Sequence, residues 1–456
     1  MTSSRPLRVA IIGAGPAGTY AADILSKTDI ETSIDIIERL PAPFGLVRYG
    51  VAPDHPRIKQ IIVALANVLG RGDIRLLANV NIGTDLTLKD LGEHYDAVIF
   101  ATGSFRDADL NIPGIDLDGS FGAADFVSWY DGHPDVPRTW PLTAKEVAIF
   151  GVGNVALDVA RMLSKHPKDL LPTDVPANVL EVLEGSPVTD VHLFGRRGPA
   201  QVKFSPLELR ELAQVPDVDV IVYPEDYDYD EGSLAAIDGH HQTKQVVKTL
   251  NDWTLREPTG ASRRIHLHFL QAPHEVLGQD GKVTGVRVER TALNGDGTAS
   301  GTGVFIDYPV QAVYRAVGYY GTPIEGIPFD DSKGTIANEG GRVVDGGDVV
   351  PGYYTTGWIK RGPVGLIGST KSDAAETIQH LVDDSERLFA ESKAGPEQLS
   401  PDNVFQLLKS RGVPVVEWKD WEVLDAHEKD TGEVQGRERV KVVPREEMTD
   451  IALRRD

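Results

Sequence analysis

Val9-Ala-Ile-Ile12-Gly13-Ala-Gly15-Pro16-Ala17-Gly18 and Val147-Ala-Ile-Phe150-Gly151-Val152-Gly153-Asn154-Val155-Ala156 decide how this chain folds. Each is a short apolar run, of strand length, entering a glycine-rich turn. After the turns, Ala17, Ala21, Ile24 and Leu25, and then Val155, Val159, Met162 and Leu163, recur at helical spacing. Strand, Gly-x-Gly-x-x-Gly/Ala turn and helix together form the dinucleotide-binding unit. The first glycine permits the tight turn and the second lets backbone approach a pyrophosphate. The third small residue lets helix pack on strand, and the helix N-terminus faces the phosphates. Two such units imply two dinucleotide sites in one chain.

The residues at the end of each second strand distinguish the sites. Ile34-Asp-Ile-Ile37 ends in Glu38, about twenty residues past Gly18, where a carboxylate accepts hydrogen bonds from a ribose diol and repels a phosphate. Val191-His-Leu-Phe194 ends instead in Gly195-Arg196-Arg197. Two guanidiniums there suit a 2′-phosphate, which they clamp by charge-assisted hydrogen bonds. We therefore expect FAD at the first turn and NADP(H) at the second.

Composition removes other classes. The chain has 456 residues, more than one ordinary core requires, and no cysteine. Without cysteine it cannot use a redox-active Cys-x-x-Cys pair or hold a thiolate-ligated iron–sulfur cluster or zinc. An iron–sulfur centre, if electrons reach one, belongs to a partner. Twelve histidines show no metal-ligand spacing, so no metal is expected, and His240-His241 reads as a surface pair. A formal net charge of −22 argues against nucleic acid. No apolar run is long enough to span a bilayer, and the first strand starts too close to Met1 for a targeting segment, so a cytoplasmic protein is expected.

The expected fold is α/β, with two Rossmann-like dinucleotide-binding domains. Residues 1–105 form the first part of a discontinuous FAD domain, and 106–320 an inserted NADP domain. Residues 321–394 return to the FAD domain, and 395–456 form a C-terminal extension packing on the body, with Trp418 and Trp421 as anchors. Within the return segment, Gly357-Trp358-Ile-Lys-Arg-Gly-Pro-Val-Gly365 approaches a helix from about Ser372. Backbone N–H groups there suit the pyrimidine edge of a flavin, and Trp358 its ring system. The run Pro224-Glu-Asp-Tyr-Asp-Tyr-Asp-Glu231 reads as a solvated acidic face. Cations available to dock an acidic partner are Lys244, Lys248, Arg256, Arg263 and Arg264, with Arg48, Arg57, Lys360 and Arg361 nearer the flavin.

Several longer stretches carry a resemblance: Pro43-Phe-Gly-Leu46-Val-Arg-Tyr-Gly-Val-Ala-Pro-Asp-His55-Pro56, Gly153-Asn-Val-Ala-Leu-Asp158-Val-Ala-Arg161, Gly195-Arg-Arg-Gly-Pro-Ala-Gln201, Leu207-Glu208-Leu-Arg-Glu211 and Gly357-Trp-Ile-Lys-Arg-Gly-Pro363. Over nearly its whole length the chain resembles the adrenodoxin-reductase type of ferredoxin–NADP+ reductase, a branch of the glutathione-reductase superfamily. The resemblance implies FAD contacts at Ala17, Glu38, Leu46, Ile82, Trp358 and the Gly365-Leu366-Ile367 backbone. It implies NADP contacts at Val152, Gly153, Asn154, Val155, Arg196, Arg197, Glu208 and Gly365, with His55 and Glu211 beside the nicotinamide–flavin contact. Relatives carry an arginine where this chain has Ala108, and Arg106 stands two residues earlier as its substitute.

The activity so implied is an FAD-dependent NADPH:ferredoxin oxidoreductase. Hydride passes from NADPH to flavin N5, then single electrons pass to a ferredoxin-type iron–sulfur protein, which can supply a cytochrome P450 chain. The enzyme is expected to be a monomer that meets its partner transiently. The other classes are an NADPH-dependent quinone reductase or diaphorase, a monooxygenase, and a non-enzymatic NADP-sensing flavoprotein. Cytochrome c reduction that depends on added ferredoxin separates them.

Overall fold

Strand β1, Leu7–Ile12, is buried at all six positions, as a central parallel strand covered on both faces must be. Its alternation divides two cores. Val9 and Ile11 join Ala21, Ala22 and Leu25 on one side, while Ala10 and Ile12 join Leu77, Phe100 and Ile359 on the other. The computed structural model describes residues 5–365, 367–392, 395 and 397–454. These divide into two units: unit 1 runs up to Arg106, includes His133–Asp135 and resumes at Tyr319; unit 2 is Asp107–Gly132 and Val136–Gly318.

In unit 1, β1 pairs in parallel with β2 (Thr32–Glu38), β2 with β3 (Ile74–Ala78), and β1 on its other side with β4 (Ala97–Phe100). The late strand Asp348–Thr355 adds in parallel to β4, completing a seven-stranded sheet with two short antiparallel strands outside it. The register sets Ile12 opposite Ile37, so β1 and β2 end together and leave Glu38 level with the glycine turn. Helix α1, Pro16–Leu25, shares one core with Ala374, Ile378 and Leu381 of helix Ile367–Asp383. The C-terminal helices Trp418–Val434 and Arg445–Ala452 enter that same core through Trp421, Leu424, Met448 and Ile451.

Unit 2 repeats the plan. Six parallel strands run in the order Ser120–Gly122, Ala312–Arg315, Glu146–Phe150, Asp190–Phe194, Arg263–His268, Val218–Val222. Phe150 lies opposite Phe194, which brings Arg196 and Arg197 to the same end of the sheet as Gly151. A three-stranded antiparallel sheet, Gln271–Gln279, Lys282–Leu293 and Ala299–Tyr308, belongs to this unit and packs through Val276, Val286 and Val288.

The acidic run 224–231 is not simply a solvated face. Asp226 is buried, accepting hydrogen bonds from the Phe269 amide, the Gln271 side chain and the Arg290 guanidinium. Asp230 caps the helix Glu231–Gly239 by accepting from Ser233 N–H. Acid-rich spacing signals exposure only when no cation is folded against it, and here Arg290 arrives from the antiparallel sheet.

Candidate functional sites

In unit 1 the turn after β1 is held by its own glycines. Gly13 stands at φ +112°, and a Cβ there would lie 2.5 Å from the Ala101 carbonyl oxygen; one on Gly18 would lie 2.0 Å from the Gly13 oxygen. Gly15 differs, since its Cβ would meet nothing nearer than Gly45 Cα at 3.8 Å. Gly15 is also the N-cap of α1 and offers no side-chain cap, so the first amides of the helix stay available to an anion. Pro16 occupies the first helical position, where its missing N–H costs nothing.

Glu38 closes the same turn. Its carboxylate accepts from Ala14 N–H at 2.8 Å and from Leu40 N–H at 3.0 Å. Burial raises its pKa, opposed by the Leu40 and Ala14 hydrogen bonds and the nearby Arg39 charge. Those two bonds leave carboxylate lone pairs for a ribose hydroxyl. Leu46, half-buried, opens the one-turn helix Leu46–Tyr49, and Ile82, also half-buried, packs against the second core. Trp358 is half-buried rather than a core residue, and follows Gly357, whose Cβ would lie 2.6 Å from Ala17 Cβ. The Gly357 amide donates to Asp373 at 2.6 Å. Gly365 stands at φ +90° just ahead of the helix that begins at Ile367; Leu366 lies outside the described residues. His55, buried, is the N-cap of the short helix Pro56–Lys59. Arg106 lays its guanidinium over the Tyr320 ring, 5.5 Å from the centroid.

Unit 2 shows the same division among its glycines. Gly151 stands at φ +140°, and a Cβ there would lie 2.2 Å from the Ala316 oxygen, whereas one on Gly153 would meet nothing within 4 Å. Gly153 caps the helix Asn154–Ser164, again without a side-chain cap. Asn154 accepts from Ser205 N–H at 2.9 Å, and the Val152 carbonyl from Lys203 N–H at 3.0 Å, tying the turn to the following loop; Val155 continues the helix, half-buried. The Arg196 side chain is exposed and has no ion-pair or hydrogen-bond partner among the described residues, while Arg197 reaches the Gly297 and Gln201 carbonyls at 3.4 Å. A free, exposed guanidinium and a loosely held one at the strand end suit an incoming phosphate.

Sequence reasoning missed the centre of the neighbouring charge cluster. Arg161, 2% exposed, pairs with Asp158 at 2.6 Å and lies 3.6 Å from Glu208 and 4.0 Å from Glu211. Glu208 and Glu211 share one face of the helix Pro206–Leu212, which Ser205 caps. The i, i+3 spacings Asp158/Arg161 and Glu208/Glu211 were visible signals, but their convergence on one cation was not.

Six of the nine proposed docking cations already have a partner within the chain, and three of them, Arg48, Arg263 and Lys360, are buried, which narrows that expectation. Arg263 donates to the Lys165 carbonyl at 2.7 Å, Arg264 pairs with Asp190 at 2.5 Å, and Lys248 pairs with Asp252 at 2.8 Å. Arg48 is buried against Glu428, Lys360 is buried against Asp373 and Glu376, and Arg361 reaches Asp373 at 3.3 Å. Arg57 and Lys244 remain exposed, and Arg256 stacks on Trp253.

In each unit the outer small residues serve the protein's own packing, and the middle glycine stands at a helix N-terminus with room for a Cβ, bordered by Gly45 in unit 1 and by nothing within 4 Å in unit 2. The residues therefore fit a dinucleotide twice, which defines an oxidoreductase of the two-dinucleotide type. The family described as pyridine nucleotide-disulphide oxidoreductase matches residues 7–194. The NADPH-ferredoxin reductase FprA of Mycobacterium tuberculosis is 42% identical, over 98% of this chain and all of that protein. The mitochondrial NADPH:adrenodoxin oxidoreductase of Homo sapiens is 38% identical, over 98% of this chain and 92% of that one. The solved structure of Mycobacterium tuberculosis FprA in complex with NADPH superposes with a TM-score of 0.91 at 40% identity, over 99% of this chain. The chain belongs to the family of NADPH–ferredoxin and NADPH:adrenodoxin reductases. The disulphide chemistry in the broader family's name does not apply, because this chain has no cysteine.

Proposed function

We propose that this protein is an FAD-containing NADPH:ferredoxin oxidoreductase, in which unit 1 binds FAD and unit 2 binds NADPH. The observation that carries the reading is the contrast between the two turns. Glu38 closes the first with a buried carboxylate, and Arg196 stands exposed beside the second. FAD, when bound, supplies the chemistry of accepting a hydride and giving up single electrons.

The chain's own residues bind and orient. The amides after Gly15 and Gly153 would hold the two pyrophosphates, and Glu38 would accept from the flavin-side ribose. Leu46, Ile82, Trp358 and the backbone around Gly365 would border the flavin, with Ile367 starting the helix beside them. Arg196 and Arg197 would hold the 2′-phosphate, with Arg106 as a further contact. Asn154, already fixed by Ser205, keeps the second turn rigid. Arg161 lies within 4.0 Å of carboxylate oxygens of Asp158, Glu208 and Glu211, which brings the three side chains together, and Glu208 and Glu211 would present carboxylate oxygens to an amide or hydroxyl. His55 and Glu211 would position the nicotinamide and carry a proton near it.

The electron acceptor is proposed to be a ferredoxin-type iron–sulfur protein, met transiently, and the enzyme to be a cytoplasmic monomer. No helix among the described residues is long and apolar enough to cross a membrane. Anaerobic mixing with NADPH and, separately, with NADH tests the cofactor assignment through the flavin's visible band. Fast bleaching by NADPH and slow bleaching by NADH are expected; a bound flavin that neither reduces refutes it. Cytochrome c reduction that requires added ferredoxin tests the acceptor, and equal rates with and without it place the activity among quinone reductases. Gel filtration tests the monomer.

A further inference from the structure

The loop 44–50 of unit 1 lies directly on the first glycine turn. Phe44 N–H donates to the Ala14 carbonyl at 2.9 Å, and a Cβ on Gly45 would lie 3.1 Å from Gly15 Cα. The loop enters through an unusual backbone: Phe44 stands at φ +84° and Gly45 at φ +50°. A phenylalanine keeps a left-handed conformation only where its surroundings impose it.

Those surroundings come from the C-terminal extension. Trp418 and Trp421 meet the Phe44 ring edge to face, with centroids 6.4 and 5.8 Å away. Arg48 and Glu428, 380 positions apart and both buried, form a bidentate pair at 2.9 and 2.6 Å. The Arg48 guanidinium lies 5.2 Å from the Trp421 ring, and the Lys441 ammonium donates to the Arg48 carbonyl at 3.0 Å. Glu428 also accepts from Val442 N–H at 2.9 Å and from Arg439 at 3.2 Å, so its carboxylate is fixed from several directions. A buried ion pair is a poor device for stability, since apolar residues of similar volume usually do as well; its attested use is to fix register. Here the element whose register it fixes is the loop over Gly15.

We propose that the Arg48–Glu428 pair, with the Phe44–Trp421 contact, positions the loop 44–50 over the Gly13–Gly18 turn, so that the C-terminal extension sets how tightly unit 1 retains FAD. Arg48, Glu428 and Trp421 are positioning residues in this account and touch no reacting atom. The inference rests on the reading that unit 1 is the flavin site. A second anchorage of the extension supplies a control. Arg411 donates to Asp90 at 2.9 Å and to the Asp85 carbonyl at 2.6 Å, and among the described residues no hydrogen bond or ion pair joins it to the loop.

The test compares the purified full chain with R48M/E428M, W421L and R411A, following FAD release by flavin fluorescence and folding by circular dichroism. The double variant removes both buried charges together and leaves neither unpaired. The Val442 amide loses its acceptor, so the variant is expected to fold with a somewhat lower melting temperature yet to release FAD at least about tenfold faster, a change of about 1.4 kcal/mol in retention if binding is unchanged in rate. With saturating FAD its KM for NADPH stays at the wild-type value. W421L, which keeps the ion pair, is expected to release FAD faster with the fold intact, and it decides the matter where the double variant does not fold. R411A is expected to release FAD as the wild type does. Wild-type release rates in a folded R48M/E428M or W421L, or equal acceleration in R411A, overturn the proposal. A wild-type chain that neither carries nor takes up FAD overturns the underlying assignment of unit 1 instead.

Discussion

Alanine at Gly151 and at Gly153, introduced one at a time, separates the two tasks of a dinucleotide-binding turn. At Gly151 the backbone stands at φ +140° and the new Cβ would lie 2.2 Å from the Ala316 carbonyl oxygen. That oxygen sits just past the buried strand Ala312–Arg315 and cannot swing aside as a side-chain end can. The left-handed backbone costs about 1–2 kcal/mol and the overpacking about 1–3 kcal/mol. A total near 3 kcal/mol lowers Tm by about 6–12 °C in a unit of roughly 200 residues. At Gly153 the backbone is extended, at φ −107° and ψ 176°, and nothing lies within 4 Å of the added carbon. G153A therefore changes stability by less than about 1 kcal/mol, the weaker N-cap being offset by a less flexible unfolded chain. Its methyl group occupies the space through which backbone must approach the pyrophosphate. NADPH affinity should then fall at least about tenfold, or about 1.4 kcal/mol. Thermal melts and NADPH titrations of the two variants give the four numbers needed. Wild-type affinity in a folded G153A would refute the placement of the nucleotide, and an unshifted melt for G151A would refute the packing argument.

Three further outcomes follow from the same geometry. R196A should raise the KM for NADPH by about 10- to 100-fold, the worth of one charge-assisted contact, while leaving the KM for NADH nearly unchanged; steady-state kinetics with both nucleotides decides it. E38Q should weaken FAD retention and cost about 1–3 kcal/mol of stability, because an amide cannot accept from Ala14 and Leu40 without turning its NH2 toward one of them; denaturant titration and the flavin content of the purified variant read both effects. Unit 2 should lose stability on mild acidification. His192 and His266 stack at 4.3 Å, and burial pushes His192 down to about 3 and lowers His266 as well. His192 therefore stays neutral when folded but takes up a proton near pH 6.5 when unfolded, so its contribution is full above pH 6.5 and falls by about 1.4 kcal/mol per pH unit below it; the lowering of His266 acts in the same direction. Asp107, pushed up to about 6 by burial, opposes this: its cost is full above pH 6 and is relieved as the pH falls from 6 toward the unfolded value. In D107N, which removes that opposing titration, the urea midpoint should fall between pH 6 and 5, and a midpoint that does not move there would exclude the effect.

The parts of the fold that were legible in the sequence are those dictated by backbone sterics over a short span. Gly13, Gly18 and Gly151 occupy places where a Cβ would strike a carbonyl oxygen, so their pattern survives as a local signal. Glu38 was equally readable, since the β1–β2 register carries it to the turn. What depends on distant partners was not readable. Asp226 belongs by spacing to an acidic surface run, but Arg290 takes it into the interior. Arg263, Arg264 and Lys248 look like free cations until Lys165, Asp190 and Asp252 are seen beside them. His133–Asp135, placed by sequence within the inserted domain, belongs to unit 1, where His133 meets the Tyr49 ring at 5.2 Å and Asp135 pairs with Arg445 at 2.8 Å. Neither Arg48 nor Glu428 carries any local sign of the other.

The internal use of these cations bears on how an acidic partner is met. With a net charge of −22 the chain repels an acidic ferredoxin at long range, so steering requires a local excess of positive charge. Arg264, Lys248 and Arg361 are each matched by a carboxylate within 3.5 Å, so at the scale of a partner's surface they contribute little field. Arg57, Lys244 and Arg256 do contribute, and they are few. Ferredoxin-dependent turnover should accordingly fall with ionic strength less steeply than a count of lysines and arginines suggests. Single alanine substitutions at Arg57 and Lys244 should reduce that salt dependence, whereas R264A should act mainly through stability, because it takes the guanidinium from Asp190 and leaves its carboxylate the Thr189 hydroxyl and the His266 ring. A salt dependence unchanged in R57A and K244A, but lost in a folded R264A, would mean that paired cations do the steering and would reverse this assignment.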